Sequence, residues 1–454
     1  MPKPFHIAIV GAGFTGTLLA VNLLRRPELI VTLIDRRPMF GRGTAYSATN
    51  PSHLLNVRAG NMSAFADAPR HFVEWCAARG IGDETTFVPR RSFGDYIGEL
   101  LGDCIADCEG RLALACADAT GVEVAGNAIK LALSNGAALR PDALVLAIGN
   151  LPPQVPAGLD PATIGADAYV ADPWAGSLVT SLQDDDTVLL LGTGLTMVDV
   201  ALSLESAGFA GKIIAMSRRG LLPHRHAPGP GLAVGERRQG MPPTTVTALV
   251  RDVRARADAI GWRAAVDELR PFTQELWTSA SAAERGRFLR HLRPWWDVAR
   301  HRLAPDVATR IAAMQNGGKL QILAGKPTDF RSDGTGVAVT FRPRGLVATE
   351  RLSVRRIINC TGPMGDLSNA RDPLLHALIA SGLARPGHAG LGLDVDHHSR
   401  LIGADGRREA RLYAAGPLTR GAFWEIVAVP DIRNQVGAMA ADLAELGVAD
   451  ALVK

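Results

Sequence analysis

Hydrophobic residues fall along this chain in short runs bounded by turn residues, and these alternate with longer stretches of helical period. That is the pattern of buried parallel strands interleaved with helices. Residues 6–10 read as a buried strand, followed by a glycine loop, an amphipathic helix to about Arg25, a break at Pro27, and a strand over 30–34 ending on Asp35. The same order returns later, with a strand over 188–191, a second glycine loop, a helix to about Ala207 and a strand over 212–216. Between the two units, helices are expected near 70–79 and 93–108, a small β-meander near 122–124 and 129–133, and a buried strand over 143–148. Residues 222–243, rich in Pro, Gly, His and Arg, read as a long exposed loop. Helical period then runs from about 244 to 315, too long for an ordinary crossover. Strand patterns resume at 320–324, 336–341 and 356–360, and 413–441 reads as a strand, a Gly-Pro turn and a helix.

The expected fold class is α/β, with two Rossmann-like dinucleotide-binding domains and a helical insertion. Residues 1–175 and 350–454 form the first, discontinuous domain, and 176–349 the second, with the insertion at about 235–316. A chain of 454 residues, 47% hydrophobic and 21% charged, has ample material for large cores. The net charge of +4 comes mostly from arginines spread along the chain, which gives little support to a nucleic-acid partner. Five cysteines without a C-x-x-C pair argue against dithiol chemistry and for a reducing compartment. No apolar stretch is long enough to span a bilayer, and no basic leader precedes the first strand, so the expectation is a soluble cytoplasmic protein. Nothing suggests a metal site.

In Gly11-Ala12-Gly13-Phe14-Thr15-Gly16 the first glycine makes the tight turn, the second admits a pyrophosphate, and the third lets helix and strand pack closely. Asp35 stands 19 residues past Gly16, where a carboxylate accepts both ribose hydroxyls and repels a 2′-phosphate. In the second loop, Gly192-Thr193-Gly194-Leu195-Thr196-Met197, a methionine takes the third glycine's place, and the following strand ends on Ser217-Arg218-Arg219-Gly220 with no acid. Guanidinium groups there favour NADPH over NADH, unless they are simply exposed turn arginines. One loop with an acid and one with arginines imply two nucleotides, FAD in the first and NADPH in the second, with hydride passing between them.

These loops, with residues 11–26, 41–65, 287–305 and 416–435, resemble the two-dinucleotide-binding flavoproteins. That superfamily includes glutathione-reductase-like enzymes and flavin-containing monooxygenases, and the resemblance is closest to a bacterial FAD/NAD(P)-binding family related to amino-acid N-hydroxylases. It implies a monooxygenase that works through a C4a-peroxyflavin on a small, amine-like nucleophile, with O₂ as co-substrate. It also implies cofactor contacts from Phe14, Thr15, Arg36, Arg42, Gly149, Thr196, Gly362 and Gly416. Where many members carry Gly-Asp, this chain has Gly416-Pro417, so the ribityl contact must come from elsewhere.

The resemblance sets residues 53–63 beside the flavin ring, with His53, Asn56 and Ser63 as hydrogen-bonding candidates and Met62 as a packing one. Asn56 and His53 are the catalytic candidates of this stretch, although a loop histidine bonded to backbone is an equal reading. Arg420, Trp424 and Glu425 flank a turn expected to face the pyrimidine end of the flavin, where positive charge stabilises its reduced anion. Arg290, Arg293, Trp295, Trp296, Asp297, Arg300 and His301 read either as a salt-bridged seam or as a lid. Two other functions fit the same motifs: an NADPH-dependent flavin reductase or oxidase serving a quinone, a protein or O₂, and a redox-sensing protein that holds both nucleotides without turnover.

Overall fold

A computed structural model describes residues 4–47, 50–227, 238–363, 367 and 370–453. The chain builds two twisted sheets and a small meander. The first sheet runs, in spatial order, Arg400–Ile402, Arg408–Ala414, Ala143–Leu146, Phe5–Val10, Leu29–Asp35 and Leu112–Cys116. Its pairs are parallel except that of Arg400–Ile402 with Arg408–Ala414. The central strands are buried on both faces, which is why they read as continuous apolar runs. The Phe14–Leu24 helix covers one face together with the Val429–Val453 helix. Ala119–Ala125, Ala128–Leu133 and Ala138–Leu139 form the expected meander, antiparallel throughout.

The second sheet has the order Glu350–Val354, Val337–Pro343, Leu320–Ser332, Lys212–Ser217, Thr187–Leu191, Arg356–Asn359 and Tyr169–Val170. Its last five strands are parallel and its first two add an antiparallel ribbon. A boundary at 350 therefore divides the chain in the wrong place. The strands Glu350–Val354 and Arg356–Asn359 hydrogen-bond within the second sheet, and so does Tyr169–Val170, assigned from sequence to the first unit. Apolar runs identify strands but not the sheet they join.

Helices of the insertion run from Val246–Ile260 to Pro305–Asn316, as the period indicated. Of the loop expected over 222–243, residues 228–237 lie outside the described residues. Its first part is tied to the insertion, His224 and His226 exchanging backbone bonds with Val298 and Leu303. No helix among the described residues is long and apolar enough to cross a membrane.

Candidate functional site: two glycine loops and an arginine-lined pocket

Both glycine loops leave the carboxyl ends of their strands, the place where open α/β sheets bind ligands. Gly11 has φ +105°, and a Cβ there would lie 2.3 Å from the carbonyl oxygen of Ala147. On Gly16 it would lie 1.9 Å from the carbonyl oxygen of Gly11. These two glycines are required by the protein's own packing. Gly13 is different, since a Cβ there would meet only the Gly43 Cα at 3.5 Å. The room it leaves fits a pyrophosphate, and the helix it caps has neither a side-chain cap nor an acidic residue in its first turn. Phe14 packs into the core beside Tyr46 and Phe93.

Asp35 braces this loop. Its Oδ2 accepts from the amide of Ala12 at 2.9 Å and its Oδ1 from that of Arg37 at 3.0 Å, leaving lone pairs for ribose hydroxyls. Arg36 is taken up by Asp118 and Asp372, both at 3.0 Å, and Arg42 by Asp95 at 2.6 Å.

The second loop repeats the design. Gly192 has φ +117°, and its Cβ would lie 2.2 Å from the carbonyl oxygen of Cys360, while nothing stands within 4 Å of one on Gly194. Met197, in the third glycine's place, is fully buried in the core of this unit. Thr196 sits half-buried in the first turn of the uncapped Leu195–Ser206 helix. Thr193 Oγ1 lies 2.9 Å from Ser217 Oγ, which also accepts from the amide of Gly220 at 3.0 Å, so the arginine turn is held against the loop. Arg218 is exposed and Arg219 half-buried, and neither has a side-chain partner among the described residues.

A pocket is walled by Gly149 and Asn150, which follow the Ala143–Leu146 strand of the first sheet, by Pro363, which follows the Arg356–Asn359 strand of the second, and by Pro417, Arg293 and Arg420. The two arginines are its only charged lining residues among those described. Burial, and then the neighbouring charge of Arg293, lower the Arg420 pKa to about 10. Arg420 stacks over Trp424 with its guanidinium carbon 4.7 Å from the ring centre, and its Nε is buried without a hydrogen-bond partner among the described residues. Gly416 sits against the first loop, since a Cβ there would meet Thr15 Oγ1 at 2.6 Å. Gln435 holds this turn: its Oε1 accepts from the Gly416 amide at 2.8 Å and its Nε2 donates to Thr419 Oγ1 at 3.0 Å.

The 53–63 stretch stands apart from this pocket. Met62 is a core residue, 2% exposed, and Ser63 is fully buried with its hydroxyl 2.7 Å from the carbonyl oxygen of Ala68, closing its own loop. His53, also buried, donates from Nε2 to the carbonyl oxygen of Asp199 at 3.0 Å, and burial lowers its pKa. It joins the first unit to the second glycine-loop helix, beside the Arg90–Asp199 ion pair at 2.7 Å. Half-buried Asn56 receives His226 Nε2 on its backbone oxygen at 3.0 Å.

Glu425 is buried with φ +69° and faces the insertion. Trp296 Nε1 donates to its Oε1 at 2.7 Å, and Arg300 Nε stands 3.0 Å from its Oε2. The seam reading of the insertion is realised here. Arg293, singled out from sequence in the 290–301 cluster, lines the pocket, whereas Gln435 was missed, because a lone glutamine in an apolar helix carries no motif.

Comparison with known proteins agrees with this arrangement. Residues 8–151 match a family model described as FAD-NAD(P)-binding. No curated protein matches the chain by sequence. Among solved structures it is similar to an ornithine N-hydroxylase from Kutzneria sp. 744, whose structure carries reduced FAD, NADP⁺ and L-ornithine. That likeness has 14% identity and a TM-score of 0.68, and covers 98% of this chain and 100% of the other. It is similar too to an L-lysine 6-monooxygenase from Pseudomonas syringae, with 16% identity, a TM-score of 0.66 and coverage of 98% and 99%. A third is the FAD-bound cadaverine monooxygenase of Erwinia amylovora, with 12% identity, a TM-score of 0.68 and coverage of 97% and 95%. At these identities the likeness establishes the fold.

Proposed function

We propose that this protein is an FAD-dependent, NADPH-oxidising monooxygenase that hydroxylates the nitrogen of an amine. The observation that carries the reading is the pocket where the ends of both glycine-loop units converge on Arg293 and Arg420. The three solved structures, by their printed activities, favour oxygen transfer to an amine over plain reduction.

The first unit would hold FAD, with Gly13 and the N-terminus of the Phe14–Leu24 helix against its pyrophosphate and Asp35 on its adenosine ribose. The second would hold NADPH, with Gly194 at the pyrophosphate and Arg218 and Arg219 on the 2′-phosphate. FAD, when bound, supplies hydride acceptance from NADPH and activation of O₂. Arg293 and Arg420 do two things for that chemistry. Their charge favours an anionic reduced cofactor, and it lowers the pKa of an amine nearby, keeping the nitrogen lone pair free to react. Arg293 brings the helical insertion to the wall of this pocket, where it would help to exclude water. We also propose a cytoplasmic location, where the five free cysteines would persist as thiols.

The test is anaerobic reduction of the purified FAD-loaded protein, followed by O₂ in the presence of an amine. NADPH is expected to bleach the flavin absorbance at least tenfold more efficiently than NADH. Arg218→Ala with Arg219→Ala should remove that preference, and O₂ should give a hydroxylamine detectable by mass spectrometry. Hydrogen peroxide as sole product would replace the proposal with an oxidase, and failure of NADPH to reduce the flavin would reject both.

A further inference from the structure

The helical insertion and Trp424 wall a second and larger pocket, of about 500 Å³ and partly open to solvent. Its wall is hydrocarbon and aromatic, with Leu249, Val250 and Val253 on one side and Leu276, Trp277 and Trp424 on the other. The Val246–Ile260 helix explains the lining. Its apolar positions 246, 249, 250 and 253 form a stripe at helical spacing, the kind that normally disappears into a core. Yet no residue of this helix is buried, because the stripe faces the cavity. Its volume is roughly three times the ~150 Å³ that admits a benzene ring.

Of the polar groups on the wall, Glu284, Arg285 and Thr273 are already engaged, and Thr244 and Arg254 stand exposed to solvent. Glu284 accepts from the amide of Val246 at 2.7 Å and pairs with Arg287 at 2.5 Å. Arg285 donates to the carbonyl oxygens of Ala280 and Thr278, and Thr273 to that of Arg270. None of the three engaged groups is left to receive the carboxylate and ammonium of an amino acid, and Arg254 is the one other charged group on the wall among the described residues. At one end the wall is Trp424, which carries Arg420 of the central pocket on its ring. There two buried donors, Trp424 Nε1 and Arg420 Nε, have no hydrogen-bond partner among the described residues.

We infer that this cavity holds the hydrocarbon body of the substrate, an aliphatic or aromatic amine whose polar end lies at Trp424 and Arg420. The assignment rests on the monooxygenase reading for the word substrate and on the cavity alone for the binding. The enzyme then selects by apolar bulk, where an amino-acid hydroxylase must select by charge.

Trp277, Trp295, Trp296 and Trp424 line the cavity and serve as reporters. FAD-loaded protein is titrated with n-alkylamines of about four to ten carbons and with L-ornithine, following tryptophan fluorescence and, with NADPH and O₂, the hydroxylated product. Each added methylene should tighten binding about fourfold until the cavity is full, and product should follow the same order. Val250→Trp, which fills the space, should weaken the longest amine at least tenfold and shift the optimum to shorter chains. Leu249→Ala, which enlarges it, should shift the optimum to longer ones. Binding independent of chain length, or ornithine bound as tightly as the longest amine, overturns the assignment, as does tight binding of long amines without product from a flavin that NADPH reduces. If NADPH fails to reduce the flavin while chain-length dependence and both shifts persist, the cavity assignment stands and the monooxygenase reading alone falls.

Discussion

Glu425 illustrates how little residue type says about occupation. An acid beside an expected flavin reads as a candidate for chemistry, but here it is closed off from water and held by Trp296 and Arg300. Removing one member of a buried ion pair strands the other. Glu425→Gln should therefore lose about 3 kcal/mol in urea denaturation, whereas a loss below about 1 kcal/mol would return the residue to the chemistry. His53 makes a second case, since its burial depresses the pKa. The unfolded chain protonates it near 6.5 while the folded one resists, so its contribution is present above 6.5 and is lost as pH falls through the folded value. His224, His226 and His388 shift in the same direction. Melting temperature should fall from pH 7 to 5, and His53→Gln, which keeps a donor and removes the titration, should make that fall shallower. An unchanged slope would reject His53 as a contributor. A backbone-bonded histidine was one of the two sequence readings of His53, but its partner, and the pairing of Glu425, were not legible, because both depend on what two distant segments bring together.

At the scale of the element, strand, loop and helix were legible almost residue for residue. The glycine spacing and the apolar runs record local constraints, and those survive without knowledge of the neighbours. The structure adds a division of labour within the motif. Gly11→Ala puts a methyl onto the Ala147 carbonyl and should unfold the first unit even without ligand. Gly13→Ala meets no such obstacle and should melt normally as apoprotein while losing most FAD affinity, read from bound flavin absorbance after dialysis. Equal FAD retention by Gly13→Ala and the wild type would exclude a pyrophosphate at that position. Strands lacking a motif were harder to read. Leu112–Cys116 and Glu350–Val354 are edge strands with exposed residues, and little in their sequence separates them from loop.

Across the whole molecule, the two-unit plan followed from the repeated motif, but the assignment of strands to sheets did not, since hydrogen-bond partners far apart in sequence leave no local trace. The first sheet is interrupted, its early strands ending by Leu146 and its last beginning at Arg400, whereas every strand of the second lies between Tyr169 and Asn359. That interruption sets an order of events on the ribosome. The inner unit has all its strands as soon as residue 359 emerges, while the outer one waits for Arg408–Ala414 and for the Val429–Val453 helix that covers its first helix. The opening segment of the chain is thus made first and finished last, and during synthesis its apolar strands remain without their final neighbours. Ribosome-bound chains arrested once residue 360 has emerged should already protect the second sheet from protease and leave residues 5–35 open to cleavage.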